Sequence, residues 1–190
     1  MLCLTCSAFC FSLLCKNCRD QFLKVKPKIR IVEDLKIYSF YNYQDISLLL
    51  NTKYYAIGSR VFSLLAKKAN AHFLTTHQEF FKQYIAHGVG IDDDPKKGYS
   101  HTGVILHAFR NMITPIYGEL QAKNKVKYAG KSLEFRQKNP RGLVYKSGNK
   151  NLVIFDDIVT TGLSMLEAKK AIEKGGGNVL FGVVLSDAKK

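Results

Sequence analysis

No apolar stretch of the chain approaches the ~20 residues needed to span a bilayer, which excludes a membrane-crossing helix. Cysteine is absent beyond residue 18. A secreted disulfide framework spreads its cysteines more widely than five within the first eighteen positions, so the reducing cytoplasm is the expected compartment. The opening run Met1–Cys15 is apolar, yet it lacks the positive n-region and the small-residue cleavage site of a secretory signal. Acidic residues are scarce: 15 Asp plus Glu face 29 Lys plus Arg, a net charge of +14. That excess favours a polyanionic partner, either nucleic acid or an anionic membrane surface, and nucleic acid is the expected one. Internal repeats and low-complexity tracts are also missing, and 190 residues suit one domain with a small appendage.

The stretch around which the chain is organised runs from Asn151 to Ile172. Leu152-Val153-Ile154-Phe155 is an apolar run of strand length, followed by the paired carboxylates Asp156 and Asp157. A hydroxyl-rich turn, Thr160-Thr161-Gly162-Leu163-Ser164, then opens Met165–Ile172, which favours helix. A turn that opens a helix after a parallel strand presents unpaired N–H groups and the positive end of the helix dipole, which together seat a phosphate. Thr160, Thr161 and Ser164 add hydroxyl groups, and Gly162 lets the backbone approach closely. Two carboxylates just before such a seat suit sugar hydroxyls or a magnesium ion shared with a diphosphate, so the expected ligand is a sugar phosphate.

At the other end, Cys3-Leu4-Thr5-Cys6 and Cys15-Lys16-Asn17-Cys18 form two Cys-x-x-Cys knuckles separated by eight residues. Cys3, Cys6, Cys15 and Cys18 suit a tetrahedral structural zinc site, with Cys10 left over. Between them lie further elements: strands from Lys24 to Tyr43 around a turn at Asp34, helices at Ile46–Leu50 and Val61–Ala69, and a polar helical stretch at Thr76–Lys82. A second sheet strand at Tyr84–Ile91 leads through Asp92-Asp93-Asp94 and Lys96-Lys97 to a helix at Thr102–Asn111, and this loop suits a metal-bound pyrophosphate. From Lys123 to Lys150 nine Lys or Arg accompany one acid, Glu134. After the organising helix, Gly175-Gly176-Gly177 ends it and Asn178–Leu185 returns as a strand.

Four apolar residues, two acids and Ile-Val-Thr-Thr-Gly closely resemble the ribose-phosphate signature of type I phosphoribosyltransferases. The resemblance implies an α/β fold with an open, mainly parallel sheet flanked by helices. It also implies that Ile158, Val159, Thr160, Thr161, Gly162, Leu163 and Ser164 hold the 5-phosphate of phosphoribosyl pyrophosphate (PRPP). Asp156 and Asp157 then face the ribose hydroxyls as the catalytic pair. Four further features, in this order, resemble ComF-type competence proteins: the knuckles, the Lys53-Tyr54-Tyr55 segment, the loop Lys97-Gly98-Tyr99-Ser100-His101, and the basic segment at Ala129–Gly142. The loop has lost the Arg, Phe, Asn and Gln of the family's Arg-Gly-Phe-Asn-Gln, while cation, glycine and aromatic character persist.

What this resemblance implies is a zinc-finger segment at 1–24 with antiparallel strands beyond it, and a phosphoribosyltransferase-like domain at 25–190. The implied protein is a cytoplasmic factor of natural transformation, peripheral to the inner membrane and its DNA-uptake machinery. It binds PRPP with magnesium, Lys97 included, and contacts single-stranded DNA through Lys131, Arg136, Lys138 and Arg141. The alternative is a working phosphoribosyltransferase that releases pyrophosphate to an unidentified acceptor.

Overall fold

A computed structural model describes residues 1–83, 85–91, 95, 98–124, 126 and 132–189, apart from the side chains of Leu133 and Gln137. The elements in chain order are α1 (Lys16–Phe22), β1 (Lys28–Val32), β2 (Leu35–Asn42), α2 (Tyr43–Asn51), α3 (Gly58–Gln83) and β3 (His87–Gly90). They continue with α4 (His101–Ala108), β4 (Thr114–Ile116), β5 (Leu120–Ala122), α5 (Leu133–Lys138), β6 (Leu143–Tyr145), β7 (Asn151–Val159), α6 (Leu163–Lys174) and β8 (Asn178–Asp187).

The main sheet has the order β1-β2-β8-β7-β3-β4. Every pairing in it is parallel except that of β1 with β2, which closes one edge as an antiparallel hairpin. Strands β5 and β6 pair antiparallel in a separate small sheet. The expected open, mainly parallel sheet flanked by helices is therefore present, with the organising strand β7 at its centre between β8 and β3.

Leu152, Val153, Ile154 and Phe155 are all at most 1% exposed, because both faces of β7 are covered. Val153 and Phe155 belong to the apolar layer that also holds Phe62, Leu65 and Phe73 of α3 and Ile105 and Leu106 of α4. Leu152 and Ile154 belong to the opposite layer, with Met165, Ala168 and Ile172 of α6 and Leu120, Leu143 and Tyr145 of the small sheet. Each such fully buried Leu, Ile or Phe contributes on the order of 1.5–3 kcal/mol relative to exposure. The N-terminal knuckles are tied to the first layer through Cys3, Leu14, Cys18 and Leu23.

Two expected helical stretches, Val61–Ala69 and Thr76–Lys82, are parts of one 26-residue helix. Its buried face ends at Phe73, and the remaining turns carry a polar side outward, which is why the apolar period fades before the helix does. Among the described residues no helix is long and apolar enough to cross a membrane.

Candidate functional site

The alternation that divides β7 between two layers breaks at its carboxyl end. Val153 and Phe155 share a layer with Ile158, whereas Leu152 and Ile154 share theirs with Val159. The pairing of β7 with β8 keeps one register from Val153 to Val159, and at the carboxyl end of the strand the adjacent residues Asp156 and Asp157 serve one site. Carboxylate oxygens of both, with a ring nitrogen of His101, lie within 4.8 Å of one another. Asp156 Oδ1 also accepts the Asp157 N–H at 2.8 Å.

Two segments far away in sequence complete the charge pattern. Lys53 Nζ, from the short 3-10 turn Thr52–Tyr54, sits 2.8 Å from Asp157 Oδ2, with the Lys53 side chain 24% and the Asp157 side chain 5% exposed. His101, the first residue of α4, brings Nε2 to 4.0 Å from the same oxygen. Tyr99 donates its hydroxyl to the Lys53 carbonyl at 3.1 Å. It lies so close that a Cβ on Gly58 would stand 2.1 Å from that hydroxyl oxygen and 2.2 Å from the Thr52 carbonyl oxygen, so glycine alone fits there. Lys53, and Tyr99 and His101 from the second segment singled out in the sequence, therefore converge on Asp157.

The two carboxyls titrate in opposite senses. Burial first, and the neighbouring Asp157 charge second, push Asp156 up to about 8. Burial also opposes the charge on Asp157, but Lys53 and His101 outweigh it and hold that carboxyl below its ordinary range. The folded chain thus keeps the Asp156 proton that the unfolded chain releases. Stability from this group is complete below the ordinary carboxylate pKa and is lost as pH rises toward about 8. In chelator, thermal unfolding followed between about pH 5 and 9 is expected to show a melting temperature that falls with pH, less steeply in Asp156→Asn.

Beyond β7, Thr160 and Thr161 form the turn and Gly162 takes φ = +89° at the N-cap of α6. Leu163 donates its N–H to Thr161 Oγ1 at 3.4 Å. Ser164 follows in the first turn of α6, while Ile158 and Val159 contribute apolar packing. Arg136 of α5 donates to Thr160 Oγ1 at 2.7 Å, and the Arg141 charge opposes the rise of Asp156. Two arginines expected to contact nucleic acid are thus brought onto the ribose-phosphate signature. Lys138 instead points to solvent and pairs with Glu134 at 2.7 Å. Lys97 and Lys131 lie outside the described residues.

Arg30 of β1 was not legible as a site residue. Its Nη1 reaches the Thr160 carbonyl at 2.6 Å and its Nη2 the Thr161 carbonyl at 3.3 Å. No local motif marks it, since its partners are 130 residues away.

Sulfurs of Cys3, Cys6, Cys15 and Cys18 lie within 4.8 Å of one another, and none is in a disulfide. Cys6 and Cys15 Sγ are 3.7 Å apart. A tetrahedron of thiolates at the usual zinc–sulfur length has edges of about 3.8 Å, so this spacing fits the ion. Backbone N–H groups of Cys6 and Cys15 lower Cys3 to about 6, favouring its thiolate, while burial chiefly raises Cys18. A cation among the four sulfurs would reverse the penalty on Cys18. Cys10 stays outside and donates to the Ser12 carbonyl at 2.9 Å. The two oxygen-bearing carboxylates Asp156 and Asp157 suit magnesium, whereas the His101 nitrogen is a poor partner for so hard an ion.

No protein-family model matches the chain. An orotate phosphoribosyltransferase of Novosphingobium aromaticivorans is 49% identical over 47 residues, 25% of this chain and 24% of that protein. The chain thus matches about a quarter of that relative's length. Among solved structures, an adenine phosphoribosyltransferase aligns over 90% of this chain and 88% of its own, at 16% identity and a TM-score of 0.42. The Saccharomyces cerevisiae adenine phosphoribosyltransferase, complexed with an imino-altritol bisphosphate and adenine, aligns over 90% and 87% at 14% identity and a TM-score of 0.44. Leishmania donovani UMP synthase aligns over 90% of this chain and 31% of its own, at 16% identity and a TM-score of 0.38.

Proposed function

We propose that the chain is a PRPP-binding protein of the ComF type. It carries a type I phosphoribosyltransferase site and handles single-stranded DNA during natural transformation, in the cytoplasm and at the inner membrane. The observation that carries the PRPP reading is the convergence of Asp156, Asp157, Lys53 and His101 beside the Thr160–Ser164 turn. Local identity to an orotate phosphoribosyltransferase points the same way.

In this reading the N–H groups and hydroxyls of Thr160 to Ser164 take the 5-phosphate, and the two carboxylates take the ribose hydroxyls. Magnesium, when bound, neutralises the diphosphate and eases its departure. Lys53 keeps Asp157 ionised, and Arg136 stands ready to exchange the Thr160 hydroxyl for a phosphate oxygen. Transfer of the ribosyl group needs positioning and electrostatic stabilisation and no protein nucleophile. The polar members of the signature are all in place, which favours turnover as the second reading. Pyrophosphate release over a panel of acceptors tests it. The zinc cluster, closed by four protein ligands, is structural, within a segment spanning 1–24 that precedes the domain at 25–190.

DNA is drawn by the basic segment that also reaches the phosphate loop, through Arg136 and Arg141. Sharing these arginines makes the two ligands competitors. Titration of PRPP with magnesium into a complex with single-stranded DNA is expected to weaken DNA binding, reciprocally for both ligands. DNA binding itself should fall steeply with salt. Retention of DNA that ignores salt and the combined neutralisation of Lys131, Arg136, Lys138 and Arg141 would sink the nucleic-acid reading.

A further inference from the structure

The phosphate turn does not hold its shape alone. Arg30 lies on the edge strand β1, and only the β1–β2 hairpin brings it to the end of β7. Its guanidinium forks: Nη1 donates to the Thr160 carbonyl at 2.6 Å and Nη2 to the Thr161 carbonyl at 3.3 Å. The charge is balanced from behind by Asp187, whose Oδ1 lies 3.0 Å from Nη1 and also accepts the Lys189 N–H at 2.8 Å. The Arg30 and Asp187 side chains are only 16% and 11% exposed, so solvent does little to loosen the pair.

In a trans peptide the C=O and the following N–H point in opposite directions. Holding the Thr160 and Thr161 carbonyls toward Arg30 therefore turns the N–H groups of Thr161 and Gly162 to the other side of the turn. No acceptor within the described residues takes either N–H. Val32, two residues along β1 and on the same side of the strand, presses on the turn as well. A Cβ on Gly162 would meet Val32 Cγ1 at 2.7 Å, and the φ of +89° already disfavours any other residue.

We propose that Arg30 is the positioning residue of this site, fixing the turn so that the Thr161 and Gly162 N–H groups face the phosphate of the ligand. The assignment rests on the reading of the turn as a ribose-phosphate seat. A planar fork is what the task requires, because two carbonyls on successive peptides must be held at once, and a lysine ammonium satisfies them as a point charge without fixing their planes. A cation bonded to the outer carbonyls also polarises the peptides and strengthens their inward N–H groups as donors. The β1–β2 hairpin, which contributes nothing to the signature in sequence, thereby becomes part of the binding apparatus.

The test uses two small probes on the full chain, followed by calorimetry: ribose 5-phosphate, which needs the turn, and pyrophosphate with magnesium, which does not. Arg30→Lys, which keeps a charge opposite Asp187, is expected to bind ribose 5-phosphate roughly tenfold or more weakly, as loss of a charge-assisted hydrogen bond implies. Its affinity for pyrophosphate should stay that of the native chain. In Arg30→Ala, added methylguanidinium should restore part of the lost ribose 5-phosphate binding. The proposal is overturned if Arg30→Lys binds ribose 5-phosphate as the native chain does. Equal weakening of both probes also overturns it, since that marks general loosening. Failure of the native chain to bind ribose 5-phosphate would refute the phosphate-seat reading itself, a separate outcome visible before any variant is made.

Discussion

Replacing Lys53 by Met is expected to destabilise the chain by about 3 kcal/mol, the lower end of what removing one partner of a buried ion pair costs. The lower end applies because the Lys53 side chain is 24% exposed and part of its charge is hydrated, whereas Asp157 at 5% is not. Without Lys53, the buried carboxylate keeps only His101 at 4.0 Å, a cation only when its imidazole is protonated, among the pairs described. The two partners agree in sign. Burial works against Lys53, but Asp157 raises it above its ordinary value, just as Lys53 and His101 depress Asp157 against its own burial. A depressed carboxyl stabilises above its unfolded pKa and ceases to do so as pH falls through its folded pKa. In Lys53→Met the burial of Asp157 loses its main counterweight and its carboxyl rises, so the loss relative to the native chain should shrink as pH falls and the carboxyl takes up its proton. Urea titration measures the loss, and adding Asp157→Leu should recover much of it in a double-mutant cycle. A loss below about 0.5 kcal/mol, the level of an ordinary surface substitution, would show that the pair is not what holds the Lys53 turn against β7.

Replacing Cys18 by Ser is the second large effect. Cys18 is 5% exposed and lies in the apolar layer beside Leu14 and Leu23, so its thiolate is tolerable only with a cation beside it. Zinc would supply that cation, and its binding energy would become folding energy for a segment that leaves Leu2, Leu4, Phe9 and Phe11 exposed rather than buried in a core of its own. The variant is expected to lose zinc from an equimolar level to a trace by elemental analysis. Limited proteolysis should then cut within the first 24 residues while the sheet stays resistant. Cys10→Ser serves as the internal control and should keep the metal, because Cys10 bonds to the Ser12 carbonyl outside the cluster. Native protein free of zinc yet equally resistant would contradict the four-thiolate site.

The central strand, turn and helix were legible because their signals are local: a four-residue apolar run, a glycine at the turn and a helix-forming stretch, all within 22 residues. The Cys-x-x-Cys spacing was legible for the same reason. What escaped depends on pairing across the chain. Strands β5 and β6 have three residues each, and their burial is decided by α6 and by each other, so neither shows a period of its own. The high charge of the 123–150 segment was plain, but its arginines' destination was not: a positive side chain reads alike whether it faces solvent, DNA or Thr160. Arg30 carried no signal at all, being one cation on an exposed-looking edge strand. The segments holding Lys53 and His101 were visible as fragments, and only the fold joined these two residues at Asp157.

The most direct measurement is calorimetric titration of PRPP, with and without magnesium, into the native chain and into Asp156→Asn. This substitution removes one carboxylate facing the ligand while leaving the Lys53–Asp157 pair intact. The predicted result is magnesium-dependent binding to the native chain that Asp156→Asn abolishes without lowering the melting temperature at pH near neutrality. Binding of equal strength in both chains, or no binding to the native chain, would contradict the assignment of this turn and its two carboxylates to a ribose phosphate.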